Sequence, residues 1–450
     1  MTSEHLTRRQ LLEAGAAAVG VGALTATLPR GLQAMAAPAP DPLAAPPIET
    51  VRIGFVGVGG MGTVHVENLV RIPGCRITAV CDIVEAHARR AAKLITDAGH
   101  PAPTLYTRGP TDFVRLCETE ELDLVYTATP WEWHVPVLVA AMRNGKHAAT
   151  EVPAAMTLDE CWQMVEEAER HQKHCVMMEN CNYDRPELLA LHLVRKGLLG
   201  EVLHAECGYL HDLREVKFSR EGEGLWRRAH SIRRNANLYP THGLGPVANC
   251  LDINRGDTFA YLVSMSGPSR GLQEYAAAHF PADAPERREQ YALGDVNVSL
   301  IRTVNGKTIY VSHDTNLPRP YSRIHLVQGT RGIVQGYPNR VYIEGRSASH
   351  GRWEELASYY PEFDHPLWRF DAARQATTGH GGMDFLEDWR LIKCLREGLP
   401  TDFNVYDAAL LSSVTPLSET SVAERSRPVD FPDFSRGRWK TQAPWGIVEA

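Results

Sequence analysis

No two of the nine cysteines stand in a C-x-x-C pair, so neither a zinc ribbon nor a redox dithiol is encoded. The cysteines read instead as small buried hydrophobes. No H-E-x-x-H occurs and no Cys/His cluster has ligand spacing, so no metal is expected. Positive charge is not in excess: 47 Lys and Arg stand against 54 Asp and Glu, a formal net charge of −7. That balance lacks the basic footprint of a nucleic-acid binder. Apart from one weak run near the N-terminus, no stretch is apolar enough to span a membrane. A G-x-S-x-G match, Gly267-Pro268-Ser269-Arg270-Gly271, follows a predicted strand. It falls where no parallel hydrolase sheet is expected, and it reads as a Gly/Pro turn.

What the chain does carry starts at Val51. Val51 to Val56 is a short apolar strand running into Gly57-Val58-Gly59-Gly60-Met61-Gly62, with a helix-forming segment behind it. Gly57, Gly59 and Gly62 fit G-x-G-x-x-G: the first makes the tight turn, the second lets backbone approach a pyrophosphate, and the third lets helix pack on strand. The phosphates then sit at a helix N-terminus whose N–H groups lack intrahelical partners. A second strand, Arg76 to Cys81, ends in Asp82 at the spacing of the carboxylate that accepts from an NAD ribose. A carboxylate there repels a 2′-phosphate, which favours NAD over NADP.

Residues 1–36 read as an address. Arg8-Arg9 precedes a weakly apolar run, Ala14 to Leu28, and Ala34-Met35-Ala36 is an A-x-A cleavage site. This resembles a bacterial twin-arginine signal peptide, with an uncleaved anchor as the alternative. It implies export of a folded, cofactor-loaded protein to the periplasm or beyond, with no stable membrane insertion once the signal is removed. Residues 37–50, dense in Pro and Ala, read as an extended linker.

Residues 51–180 alternate strands and helices, which predicts a doubly wound parallel sheet with ligands at the strands' carboxyl ends. Leu122 to Thr129 is a strand stopped by Pro130, and Trp131-Glu132-Trp133-His134 follows. Two tryptophans and a histidine at such an end suit a flanking role beside a cofactor ring, with a packing role open for either Trp. His147 to Thr150 is the next strand, running into Glu151-Val152-Pro153. Taken in order, these features resemble the Gfo/Idh/MocA oxidoreductase superfamily, whose usual motif at the last position is Glu-Lys-Pro with a proton-transferring Lys. Val152 stands in place of that Lys.

Longer strings resemble glycoside hydrolase family 109, the NAD-dependent α-N-acetylgalactosaminidases. They include Thr129 to His134, Glu151 to Ala154, Met178-Glu179-Asn180-Cys181 and Asn237-Leu238-Tyr239-Pro240-Thr241-His242-Gly243. Asp252 to Gly256, Pro318 to Arg323 and Gly379 to Phe385 extend the likeness. The resemblance implies NAD contacts at Gly57, Gly59, Gly60, Met61, Gly62 and Asp82. It adds Trp131, Glu132, Trp133, His134, Glu151, Val152 and Asn180. It also implies sugar contacts at Tyr209, Arg228, Tyr239, Pro240, Thr241, His242 and Tyr321.

Residues 181–450 are strand-rich. Val202 to Leu210, Phe259 to Ser266, Val296 to Thr303, Thr308 to His313 and Ile324 to Gln328 alternate or are β-branched. Asn305-Gly306 marks a hairpin. An α+β domain with a mostly antiparallel open sheet is expected. Helices over 381–397 and 405–414, the latter stopped before Pro416, should pack back against the body. The charged stretch 213–235 reads as a substrate-side or plain solvated loop. An uncovered sheet face would favour a homo-oligomer.

A conventional glycosidase needs two carboxylates flanking the bond. The family resemblance implies another course: oxidation at sugar C3, loss of the acidified C2 proton with expulsion of the C1 substituent, addition of water, and reduction. Tyr and His suit its proton steps, since each donates or accepts without a permanent charge. His242, with Tyr239 beside it, is the candidate base at C3. Tyr183, Tyr209 and Tyr321 are candidates for the other steps. The competing readings are an exported NAD(P)-dependent sugar or inositol oxidoreductase with tightly held cofactor, and a non-enzymatic NAD- or sugar-binding protein.

Overall fold

Val51, Ile53 and Phe55 are all fully buried, and so is the residue on either side of Phe55. A strand with no solvent face belongs inside a parallel sheet covered on both sides. The computed structural model bears this out for residues 43–220, 222–370 and 377–449, which it describes. The predicted leader and the first part of the predicted linker lie outside the described residues. β1 (Val51–Val56), β2 (Cys75–Cys81), β3 (Thr104–Tyr106), β4 (Leu124–Thr127), β5 (His147–Thr150) and β6 (Cys175–Met177) form a six-stranded parallel sheet in the order β3-β2-β1-β4-β5-β6. The order reverses between β1 and β4, and that switch point opens the crevice where α/β sheets bind dinucleotides. The Leu158–His171 helix starts with a capping box between Thr157 and Glu160.

The second sheet has nine strands. β7 (Val202–Leu210), β8 (Phe259–Ser266), β9 (Val296–Thr303), β10 (Thr308–Asp314) and β11 (Leu326–Gly329) are its centre. β12 (Gly332–Gln335), β13 (Arg340–Ile343), β14 (Glu354–Glu355) and β15 (Val429–Asp430) extend it, in the order β14-β13-β12-β11-β7-β10-β9-β8-β15. β7 and β10 pair in parallel, and every other neighbouring pair is antiparallel. The Asn305-Gly306 turn closes the β9–β10 hairpin, with Gly306 at φ +90°. One face of the sheet carries the Thr241–Cys250 and Val414–Ala423 helices. On β8 and β9, Tyr261, Met265 and Leu300 are exposed.

Three expectations needed correction. Residues 43–50 are not a free linker: Leu43 is buried, and the Ile48 N–H donates to the Leu395 carbonyl at 3.1 Å. The charged stretch 213–235 is helical over Arg214–Phe218 and Gly224–Arg233; Arg227 pairs with Glu223 across one turn, while Arg228 and Arg234 pair with the distant Glu289 and Glu419. Pro416 does not end a helix either. It is the third residue of the Val414–Ala423 helix, in a first turn whose N–H groups have no intrahelical acceptor to lose. The Met383–Glu397 and Val405–Ser412 helices do pack back onto the parallel-sheet half, where the Ser412 hydroxyl accepts from the Ala154 N–H at 3.1 Å.

Candidate active site

Two glycines of the loop after β1 have separate reasons to be glycine. Gly57 sits at φ +81°, and a Cβ there would lie 2.9 Å from the Ala128 backbone. At Gly62 a Cβ would stand 1.9 Å from the Gly57 carbonyl oxygen, so only glycine lets the helix lean on the strand. At Gly60, by contrast, a Cβ would meet nothing within 4 Å. That side of the loop is open, and the Gly60–Leu69 helix behind it has no side-chain cap on its first N–H groups. The loop therefore offers a cradle for phosphate oxygens. Asp82, at the end of β2, braces it: its carboxylate accepts from the Val58 and Val84 N–H groups at 2.9 and 2.8 Å.

The loop forms one end of a cleft of about 800 Å³. Gly57, Gly59, Gly60, Met61, Asp82, Trp131, Trp133, His134, Glu151, Val152 and Tyr239 all line it, so most of the expected cofactor residues come together. Residues not singled out from the sequence also line it. Ile83 and Val84, exposed apolar side chains directly after Asp82, give a flat apolar surface beside the expected ribose position. An exposed apolar pair after a strand-ending Asp was the available signal. Arg90 donates to the Val58 carbonyl at 3.1 Å and adds positive charge at the phosphate end. This cleft fits an NAD by its open cradle, its braced acidic strand end and its apolar flank.

Three expected cofactor contacts are placed elsewhere. Gly62 serves the helix–strand approach and does not line the cleft. Glu132 faces His230, 3.6 Å away, and Asn180 donates to Asp384 at 2.6 Å; neither lines the cleft. His134 lines it but is buried, and its two ring nitrogens lie 2.8 Å from the Pro153 and Thr129 carbonyl oxygens. It ties the β4 and β5 ends together.

At the other end Tyr239 lines the cleft, and Tyr209, His242 and Tyr321 cluster behind it without lining it. The Tyr239 ring lies 4.5 Å from Tyr209, 4.8 Å from His242 and 5.7 Å from Trp131, centroid to centroid. Tyr321 joins through Tyr209 at 6.1 Å, and its hydroxyl accepts from Arg323 at 3.0 Å. Burial keeps these phenols protonated, with Tyr209 pushed up to about 12 and Tyr239 and Tyr321 raised as well. Pro240 caps the Thr241–Cys250 helix, and Thr241 is fully buried. His242 Nδ1 donates to Glu179 Oε1 at 2.7 Å, leaving Nε2 as the free nitrogen. Glu179 went unread as a site residue, since its role exists only through His242.

One candidate for the proton steps and one expected sugar contact are placed elsewhere. Tyr183 is buried away from the cleft, and its hydroxyl donates to Asp402 at 3.0 Å within an Arg390–Asp402 ion pair. Arg228 turns from the cleft: its guanidinium lies over the Phe218 ring and 3.4 Å from Glu289. One residue earlier, about 100° around the helix, Arg227 faces the cleft. It covers the Trp131, Trp226 and Tyr239 rings at 5.1, 4.7 and 5.2 Å. Among the described residues, Glu179, Cys181 and His242 bring ligand-type atoms within 4.8 Å of one another. Burial holds the Cys181 thiol far above its usual pKa, and Glu179 Oε1 already accepts from His242 and from the Cys181 N–H, so this is a hydrogen-bond cluster.

Known proteins show the same two halves. Residues 51–179 match the oxidoreductase family with an NAD-binding Rossmann fold, and residues 183–441 match the glycosyl hydrolase 109 C-terminal domain. A glycosyl hydrolase family 109 protein of Shewanella sp. (strain W3-18-1) is 47% identical over 458 residues, covering 99% of this chain and 100% of its own. An α-N-acetylgalactosaminidase of Shewanella oneidensis (strain MR-1) is 46% identical with the same coverage. Among solved structures, levoglucosan dehydrogenase in complex with NADH aligns with a TM-score of 0.66 at 20% identity, over 85% of this chain and 99% of its own. Apo scyllo-inositol dehydrogenase from Lactobacillus casei aligns at 0.61 and 14% identity, over 85% and 99%. Those two likenesses show the fold alone. Fold and cleft together define an NAD-binding protein of the Gfo/Idh/MocA type. Within that class, the chain belongs to glycoside hydrolase family 109.

Proposed function

We propose that the protein is an NAD-dependent glycosidase that releases terminal α-linked N-acetylgalactosamine. The observation that carries this reading is the state of the carboxylates near the cleft. Glu151 is bonded to His65, Glu223 to Arg227 and Glu179 to His242, while Asp82 is spent on loop amides. None is a free member of a two-carboxylate glycosidase pair. Val152 leaves the E-x-P corner without an amine, so proton work falls to the histidine and tyrosines.

Gly57, Gly59, Gly60, Asp82 and the Trp131–His134 turn would hold the NAD, which supplies a reversible hydride acceptor at a sugar carbinol carbon. His242, fixed by Glu179 at Nδ1, takes a hydroxyl proton at Nε2. Tyr239, kept protonated by burial, donates a hydrogen bond to an oxygen on which charge develops, while Tyr209, its hydroxyl 2.9 Å from His211 Nδ1, packs against the Tyr239 ring. Arg227, planar and stacked on rings, orients the sugar or its acetamido group. The 46% identity to the Shewanella oneidensis α-N-acetylgalactosaminidase supports the choice of sugar.

Incubation with p-nitrophenyl α-N-acetylgalactosaminide and no added NAD tests the reading. Release of p-nitrophenol without accumulating NADH absorbance supports it. Stoichiometric NADH from free sugar with no aryl release overturns it. Elimination further requires solvent deuterium at C2 of the released sugar.

Two companion proposals follow. The Arg8-Arg9 leader supports export, which fractionation of cells carrying the R8K/R9K leader checks: the variant should stay in the cytoplasm. The exposed Tyr261, Met265 and Leu300 on adjacent strands support pairing with a second copy of the chain. Leu300→Lys should then lower the sedimentation mass to that of a monomer.

A further inference from the structure

His65 lies on the first helix behind the glycine loop, fully buried, with a carboxylate on each side. Nε2 donates to Glu151 Oε1 at 2.8 Å, and Nδ1 donates to Asp388 at 2.9 and 3.0 Å. Two carboxylate partners require both ring nitrogens to carry hydrogen, so the imidazole is an imidazolium. Burial alone would lower its pKa; Asp388 and Glu151 outweigh burial and hold it well above the ordinary value. Asp388 is itself fixed, accepting from Asn68 at 2.9 Å and from the Tyr126 hydroxyl at 3.2 Å. The far oxygen of Glu151 accepts from the Val152 N–H at 3.1 Å, and Glu151 lines the cleft at the end of β5. A chain of buried charges thus runs from the Met383–Glu397 helix, through the first helix of the parallel-sheet half, to the cleft wall.

We propose that Asp388 and His65 are positioning residues that hold Glu151 ionised and aimed at the cofactor cleft, so that a helix near the C-terminus governs how tightly NAD⁺ is retained. The inference rests on the cleft holding NAD and is independent of which sugar is cleaved. A fixed carboxylate beside the ring end of the cleft favours the positively charged NAD⁺ over NADH. With His65 in place Glu151 stays below the usual carboxylate range despite its burial. Without that cation the buried carboxylate moves up, pushed further by Asp384, which also faces it. On the Asp388 helix, Asp384 adds negative charge but pairs with His380 at 2.9 Å, while burial and the neighbouring carboxylates push Glu387 well above the usual carboxylate range.

The test measures NAD⁺ and NADH dissociation constants by calorimetry from pH 5.5 to 8.5, for the full chain stripped of cofactor. The wild type should show a flat NAD⁺ profile. His65→Gln and Asp388→Asn should each weaken NAD⁺ about tenfold or more while changing NADH by less. Their NAD⁺ affinity should fall further as pH drops, and Asp388→Glu should restore part of it. Glu151→Gln, which leaves His65 and Asp388 paired, should reproduce the loss of NAD⁺ preference without the pH dependence. An unchanged NAD⁺/NADH ratio and a flat profile in folded His65→Gln or Glu151→Gln overturns the proposal. Absence of any NAD binding by the wild type would instead overturn the cofactor assignment itself.

Discussion

His242 Nδ1 lies 2.7 Å from Glu179 Oε1, and the Glu179 side chain has no exposed surface. A buried carboxylate bonded to one ring nitrogen fixes both the tautomer and the tilt of the ring. The second nitrogen is thereby presented as a base. Glu179→Gln keeps the shape and removes the charge, and a charge-assisted bond is worth about 1.5–3 kcal/mol. The expected result is a fall in kcat of about 10- to 100-fold on the aryl glycoside with little change in KM. His242→Ala should cost about 10²- to 10⁴-fold, the range for a lost general base. Steady-state kinetics on the two variants separates the roles.

Arg227 and Arg228 offer a sharper comparison, because they are neighbours with opposite surroundings. Arg227 stacks on three cleft rings, whereas Arg228 covers Phe218 and faces Glu289. Arg227→Lys loses the planar fork and the stacking, and should lower kcat/KM at least tenfold. Arg228→Ala should leave kcat/KM within a few-fold and reduce the melting temperature. The reverse ranking would contradict the arrangement described above.

These residues also show how far the sequence could be read. Gly57, Gly59, Gly62 and Asp82 were legible because their roles depend on spacing within one strand–turn–helix unit. Tyr239 and His242 were legible because one short string carries both. Tyr183 and Arg228 were misread because the choice depends on which way a side chain faces, which tertiary packing decides. Tyr183 meets Asp402 across 219 residues of sequence. His65 went unread for the same reason: the partner that gives it a role, Asp388, lies 323 residues away. The parallel sheet was predicted from its alternation of apolar strands and helices. The short strands β3 and β6, three residues each, carry too little pattern to be seen.

Asp82 does two things at once, and a substitution should expose both. Its carboxylate accepts from Val58 and Val84, bracing the phosphate loop, and it lines the cleft where its spacing after the glycine loop would put a ribose hydroxyl. Asp82→Asn turns one acceptor into a donor opposed to a backbone N–H. NAD⁺ affinity should fall about 10- to 100-fold. NADP⁺ affinity should fall less or rise, because the repulsion of a 2′-phosphate is gone while Arg90 remains. Calorimetric titration with both dinucleotides checks the shift in preference.

Acid stability should be set by buried histidines that take no part in the proposed proton transfers. Burial lowers His147, His313 and His325 to about 3 and His365 to about 4. In the unfolded chain each returns to about 6.5. Between those values the unfolded state binds a proton at each site that the folded state does not, so stability falls as pH falls from about 6.5. Each histidine contributes a slope of up to about 1.4 kcal/mol per pH unit. His65, with its pKa raised, has the opposite sign. Its contribution is complete below about 6.5 and is lost only as pH rises through its folded value, so it does not mask the acid limb. Urea midpoints measured between pH 7.5 and 4.5 should therefore decline on the acid side. His313→Gln, which cannot titrate, should flatten that decline by about one proton. A wild-type midpoint that stays level down to pH 4.5 would mean that these four imidazoles reach water, contrary to their burial.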